Sequence, residues 1–191
     1  MRRRDEAGSG VWRTAFLALR SLLWVALLPG VIAGYVPLRF FGLDRVRLDV
    51  SRPAQVIGLV CAGAGAALLA VCVWEFARTG LGTLAPVDPP RRLVARGPYR
   101  HVRNPMYLGV VTIVLGEALV AGSGALAAYG AAFVVAANLF IVGYEEPSLR
   151  RRFGESYDQY SRQVRRWLPR WKPSLGDLDA PHGERDSAPR S

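Results

Sequence analysis

Lysine is nearly missing from this chain. Lys172 stands alone among 25 basic residues, and every other one is arginine. Metal-binding side chains are equally scarce, with two histidines, His101 and His182, and two cysteines. No cysteine sits near His101, so the ligand spacing of a zinc site does not occur and no metal is expected. Cys61 and Cys72 lie in one apolar run. On a helix they would stand roughly 16 Å apart, too far for a disulfide. They read as small buried apolar groups. A serine or cysteine nucleophile grouped with a histidine and an acid finds no support either.

What the chain has in excess is arginine set beside apolar sequence. The formal net charge is +10 over 191 residues, and 51% of the residues are hydrophobic. None of the nucleic-acid-binding motifs is present, and the basic residues flank apolar runs, where they set membrane orientation. No nucleic-acid partner is expected. The opening Met1-Arg2-Arg3-Arg4 and the apolar block behind it imitate a signal peptide. That block outruns a signal core and lacks a small-residue cleavage site, so a retained anchor is expected.

Four apolar blocks organise the sequence, at residues 14–36, 54–76, 106–120 and 125–144. A bilayer core of ~30 Å needs about 20 helical residues. The first, second and fourth blocks qualify, and the third is short. Gly122-Ser123-Gly124 parts the third from the fourth, so these two should form an antiparallel hairpin, with small residues in the fourth allowing close contact. The second block has no polar face, which argues against a soluble bundle. Beyond the fourth, Tyr157, Tyr160, Val164, Trp167, Leu168 and Trp171 recur at helical steps, with arginines opposite. This predicts an amphipathic helix at headgroup level, with closure over a site as a lesser role. The expected fold is thus all-α, a polytopic membrane bundle of about four transmembrane helices with a C-terminal interfacial helix. Residues 1–171 form one domain, and 172–191 a polar disordered tail.

Arginine counting places the N-terminal segment, the connection between spans two and three, and the C-terminal segment in the cytoplasm. The turn between spans three and four has none, whereas residues 37–53 carry four and argue mildly the other way. Both termini are expected on the cytoplasmic side of a bacterial inner membrane, with membrane lipids as partners. Oligomeric state is left open.

The chemistry gathers at one membrane face. Residues 96–109, Arg-Gly-Pro-Tyr-Arg-His-Val-Arg-Asn-Pro-Met-Tyr-Leu-Gly, bend at the mouth of span three, and residues 144–149, Tyr-Glu-Glu-Pro-Ser-Leu, close span four. Pro105 biases Asn104 to an extended conformation and suits the first turn of a helix. The free N–H groups there, with Arg100 and Arg103, would attract an anion. Arg91, Arg92 and Arg96 are read as meeting lipid phosphates. Gly97 and Gly109 admit a ligand or a neighbouring helix. Glu145 and Glu146 are two like charges at a helix C-terminus, which calls for a cation, either a ligand or Arg150. Adjacent side chains point about 100° apart on a helix, so one acid should face the bundle while the other pairs with arginine. Asn138 shares the face of Glu145 and could line the site or bond another helix. Glu75 has Arg78 as its nearest partner. Glu117, deep in span three, is either functional or water-exposed at the far surface. A site with an anion-binding and a cation-binding half suits a zwitterionic, positively charged cofactor.

These residues are familiar in combination. The run from Gly97 to Gly109, then Tyr144 to Leu149, then Phe153-Gly154-Glu155-Ser156-Tyr157 and Tyr160, resembles the isoprenylcysteine carboxyl methyltransferase and phospholipid N-methyltransferase superfamily. The resemblance covers residues 70 to 170 and implies a small integral-membrane enzyme using S-adenosylmethionine. It implies that the first segment and the glutamate pair surround that cofactor. The candidate binding residues are therefore Gly97, Tyr99, His101, Arg103, Asn104, Pro105, Tyr107, Gly109, Glu145 and Glu146, with Arg103, Glu145 and Glu146 as the catalytic candidates. Many members carry histidine where this chain has Asn104. Asparagine keeps a hydrogen-bonding group and loses titration. The implied reaction is methyl transfer to an O-, S- or N-nucleophile on a lipid-like or small hydrophobic acceptor. The alternatives are an NADPH-dependent reductase resembling sterol reductases, where Met106 replaces the expected asparagine, and a non-enzymatic scaffold.

Overall fold

A computed structural model describes residues 27–79, with side chains to residue 75, and residues 96–171. The start of the first expected span, the arginines before it, Arg91, Arg92, the side chain of Arg78 and the tail from Lys172 lie outside the described residues. Among the described residues five α-helices are seen: α1 (Leu27–Phe40), α2 (Pro53–Thr79), α3 (Pro105–Ala121), α4 (Gly124–Phe153) and α5 (Glu155–Gln163). Among the described residues there is no strand, and the bundle is all-α. Helices α2 and α4 are long and apolar enough to cross a membrane, whereas α3 and the described part of α1 are shorter. At 1.5 Å per residue the 17 residues of α3 span roughly 26 Å.

Outward-facing apolar side chains dominate these helices. Val60, Trp74 and Leu139 are each 60% or more exposed, an arrangement that water would penalise and lipid accepts. The inward side is built from small residues. Helices α2 and α3 run antiparallel along a glycine seam, with Gly58 against Gly116 and Gly65 against Gly109. A Cβ on Gly116 would lie 2.5 Å from the Gly58 carbonyl oxygen, and one on Gly65 would lie 2.6 Å from that of Gly109. Each pair is seven residues apart in its own helix, two turns, so both members return to one face. On the other flank of α3, Val110, Val114 and Ala118 pack with Leu126 of α4 and Ala33 of α1. The Tyr129 hydroxyl donates to the Ile32 carbonyl at 3.0 Å and ties α4 to α1.

The turn between α3 and α4 takes the expected place. Gly122 adopts φ 60°, its N–H and that of Ser123 satisfy carbonyls at the end of α3, and the Ser123 hydroxyl accepts from the Leu126 N–H. At the same end, buried Gln55 accepts from the Asp49 N–H and donates to the carbonyls of Arg47 and Val120.

Helix α4 runs past the expected end of the fourth span. Pro147 does not stop it, because a π turn over Ile141–Glu145 precedes the proline. Proline lacks an N–H and crowds the carbonyl one turn back, and a wider turn relieves both. Helix α1 repeats the device, with a π turn at Val31–Tyr35 before Pro37.

The C-terminal helix differs from expectation. It ends at Gln163, Val164 is extended (φ −114°, ψ 128°), and residues 165–170 are not helical. Pro169 disfavours helix at Leu168, which is why the aromatic spacing misleads there. Tyr157, Tyr160 and Val164 do share a face, but they bury it against Leu149 and Phe153 of the protein itself. Trp171 is 98% exposed.

Candidate functional site

The polar end of the bundle is assembled by three segments. The first is the elbow before α3. Gly97 enters it with φ 53°, a conformation that favours glycine. A Cβ there would also lie 3.0 Å from Glu75 Cγ, so the elbow presses on the end of α2. A 3-10 turn over Gly97–Arg100 follows, with Pro98 in its first turn. Asn104 (φ −122°, ψ 58°) then leaves helical space, and fully buried Pro105 opens α3. The second segment is the π turn of α4 and the acids at its end. The third is the C-terminal strap, residues 164–170.

Strap and elbow are joined through the backbone. The Arg103 N–H donates to the Arg165 carbonyl and the Arg170 N–H to the His101 carbonyl, both at 2.9 Å. Side chains reinforce the joint. His101 Nδ1 lies 2.8 Å from the Arg170 carbonyl oxygen, as a donor when that nitrogen carries the proton. Asn104 Nδ2 donates to the Arg166 carbonyl at 3.3 Å, and the Tyr160 hydroxyl donates to the Tyr99 carbonyl at 2.7 Å. Trp167 Nε1 donates to Asn138 Oδ1 at 3.1 Å, so Asn138 holds the strap to α4.

The two acids take different partners, as their helical geometry requires. Glu145 faces inward and receives the Tyr107 hydroxyl at 3.3 Å. Glu146 is an ion-pair centre. Arg166 holds it with both prongs, Nε to Oε1 at 2.7 Å and Nη2 to Oε2 at 2.9 Å. Arg103 Nη1 adds a contact to Oε1 at 3.2 Å. Arg150, the sequence candidate for this pairing, bonds Asp158 at 2.7 Å instead. Arg103 lies beside the Tyr157 phenol, and its Nε is buried without a partner. An unmet buried guanidinium donor is costly unless a ligand supplies the acceptor.

Burial dominates the electrostatics of the surrounding phenols. Tyr99, Tyr157 and Tyr160 are all pushed above the ordinary tyrosine range by desolvation. For Tyr157, nearby Glu146 adds to the rise and Arg103 opposes it. The Glu146 partnership raises Arg166 further above its ordinary value.

Nearly all the expected residues meet here. Gly97, Tyr99, His101, Arg103, Asn104, Pro105, Tyr107, Glu145 and Glu146 lie on the elbow, the start of α3 and the acids of α4. Gly109 takes the second of its two expected roles. A Cβ on it would lie 2.9 Å from Leu69 Cγ and 3.1 Å from the Gly65 carbonyl, so it belongs to the α2–α3 seam. Sequence reasoning missed Arg166, which it placed on the polar side of a surface helix. The Pro169 break was the available signal that this stretch folds back.

The model of the phospholipid methyltransferase family matches residues 53–156, more than half of the chain. The chain belongs to this family. An uncharacterised protein of Haemophilus influenzae is 39% identical over 64 residues, 33% of this chain and 100% of that relative. No solved structure matches. The family match takes in the elbow, both acids and the glycine seam, and it ends before the strap.

Proposed function

We propose that the chain is an S-adenosylmethionine-dependent methyltransferase acting on a lipid-like or small hydrophobic acceptor at the cytoplasmic face of the membrane. Membership of the phospholipid methyltransferase family supports the reaction class. The observation that carries the cofactor assignment is the unpartnered, buried Nε of Arg103, whose Nη1 contacts Glu146. The donor set fits a zwitterion. Arg103 Nε offers a hydrogen bond to a carboxylate, and inward-facing Glu145, bonded by Tyr107, offers a negative charge to a cation.

When bound, S-adenosylmethionine supplies an electrophilic methyl group on a positively charged sulfur. The chain's own residues align and desolvate. Tyr107 orients the Glu145 carboxylate, and the strap covers the elbow through its backbone bonds and excludes water. The acceptor approaches laterally from the bilayer. Arginine-rich segments at this end of the bundle favour its placement on the cytoplasmic side, with both termini there.

Titration of the protein in detergent with S-adenosylhomocysteine and, separately, with NADPH tests the reading. Saturable binding of the first alone is expected. Binding of NADPH alone would turn the assignment to a reductase, and binding of neither to a scaffold. Unchanged affinity in both Glu145→Gln and Glu146→Gln would remove the acids from the site.

A further inference from the structure

We propose that Arg166, on the strap beyond the family match, is a positioning residue that keeps Arg103 available to the cofactor. The inference rests on the methyl-transfer reading above. Its basis is the unequal sharing of Glu146. Arg166 takes both carboxylate oxygens, at 2.7 and 2.9 Å, whereas Arg103 reaches only Oε1, at 3.2 Å and through Nη1. With both oxygens held by Arg166, Glu146 gives Arg103 a single contact, through Nη1. Arg103 Nε, on the guanidinium edge away from Nη1, is buried and unbonded.

Without Arg166 the balance changes. Arg103 and Glu146 are only 15% and 14% exposed in their side chains, so neither finds water as a ready substitute. The carboxylate would turn to take Arg103 through its Nη1 and Nη2 fork, and the guanidinium, drawn toward Glu146, would carry Nε out of its place. The donor meant for the ligand would be displaced. The Arg166 side chain also ties the strap to Glu146 of α4, next to the backbone bonds that join strap and elbow. One side chain thus couples strap closure to the state of Arg103.

The test compares full-length unaltered protein with Arg166→Ala, Arg166→Lys, Glu146→Gln and the Arg166→Ala/Glu146→Gln double variant, all in detergent. Hydrogen exchange, without any cofactor, reads the strap. Arg166→Ala and Glu146→Gln should each speed exchange at the Arg103 and Arg170 amides, and the double variant should add little to either. Binding of S-adenosylhomocysteine reads positioning. Arg166→Ala should weaken it about tenfold, in the range measured for coupled neighbours. Arg166→Lys should fall between, because an ammonium cannot grip both oxygens. Unchanged exchange in Arg166→Ala, or faster exchange with unchanged affinity, overturns the proposal. Failure of the unaltered protein to bind S-adenosylhomocysteine would instead sink the methyl-transfer reading itself.

Discussion

The glycine seam and the polar elbow are held by opposite means. Along the seam, backbone meets backbone with no room for a methyl group, as at Gly58 and Gly116. At the elbow, contact is made by arginine, glutamate and tyrosine side chains, among them Arg166 from the distant strap and Tyr160 from α5. The seam has one way to pack, since its contacts are between rigid main chains. The elbow has alternatives, since a carboxylate can exchange one guanidinium for another. The division suits a membrane enzyme, in which a fixed frame carries a site able to accept and release a charged ligand.

The comparison is broken most severely at the seam. In Gly116→Val, Cβ would fall 2.5 Å from the Gly58 carbonyl oxygen and 2.6 Å from the Ala62 nitrogen, with no side chain able to yield. Forced overpacking of this kind costs about 3 kcal/mol or more, and a large drop in melting temperature or loss of folded protein is expected. Gly63→Ala is the control. Nothing lies within 4 Å of the added Cβ on this lipid-facing glycine, so melting should be unchanged or slightly raised. Equal effects of the two substitutions would dissolve the distinction.

At the elbow, substitutions should act on ligand affinity more than on folding. Arg103→Lys preserves the charge and removes the Nε donor, and about 10- to 100-fold weaker S-adenosylhomocysteine binding is expected. Glu145→Gln should lose a comparable factor while leaving strap exchange as it is, because its hydrogen bond is to Tyr107 of α3. Faster exchange in Glu145→Gln would mean that the two acids do not divide their work. Tyr107→Phe deletes one long hydrogen bond of 3.3 Å. Its loss should be about 1 kcal/mol or less, read as a few-fold rise in the dissociation constant.

The frame was far more legible in the sequence than the strap. Apolar length, the Gly122-Ser123-Gly124 turn and the absence of a polar face on α2 are local signals, and the elements they predict are present among the described residues, the start of the first span lying outside them. The split between Glu145 and Glu146 also followed from helix geometry alone. Two features had no comparable mark. The π turn of Ile141–Glu145 shows only as a proline that fails to end a helix. The strap is defined by pairing with residues 101–104, more than sixty positions away, which leaves no periodicity to read. The tyrosine spacing was genuine but pointed inward. It marks the face of α5 that packs on protein, and of the arginines placed opposite on a headgroup-level helix, Arg166 is an anchor to Glu146. Gly109 shows the same ambiguity, since a missing side chain admits a ligand or a helix equally well, and only the position of Gly65 decides.

The mildest prediction tests whether the strap is closed by neutral phenols. Tyr99, Tyr157 and Tyr160 all have folded values raised by burial above the ordinary 10.0. A raised value means that the folded state resists losing the proton. Their contribution is therefore complete well below pH 10, begins to fall as pH approaches 10, and goes on falling toward the folded values. Between pH 8 and 9.5 the three together should cost about 0.5 kcal/mol, with a steeper fall beyond. Melting followed across that range should show this slope. Tyr160→Phe should start lower, having lost the 2.7 Å bond to the Tyr99 carbonyl, and should decline less steeply. An equally steep decline in that variant would mean that the alkaline loss arises outside the strap, and that the elbow is secured by its ion pairs alone.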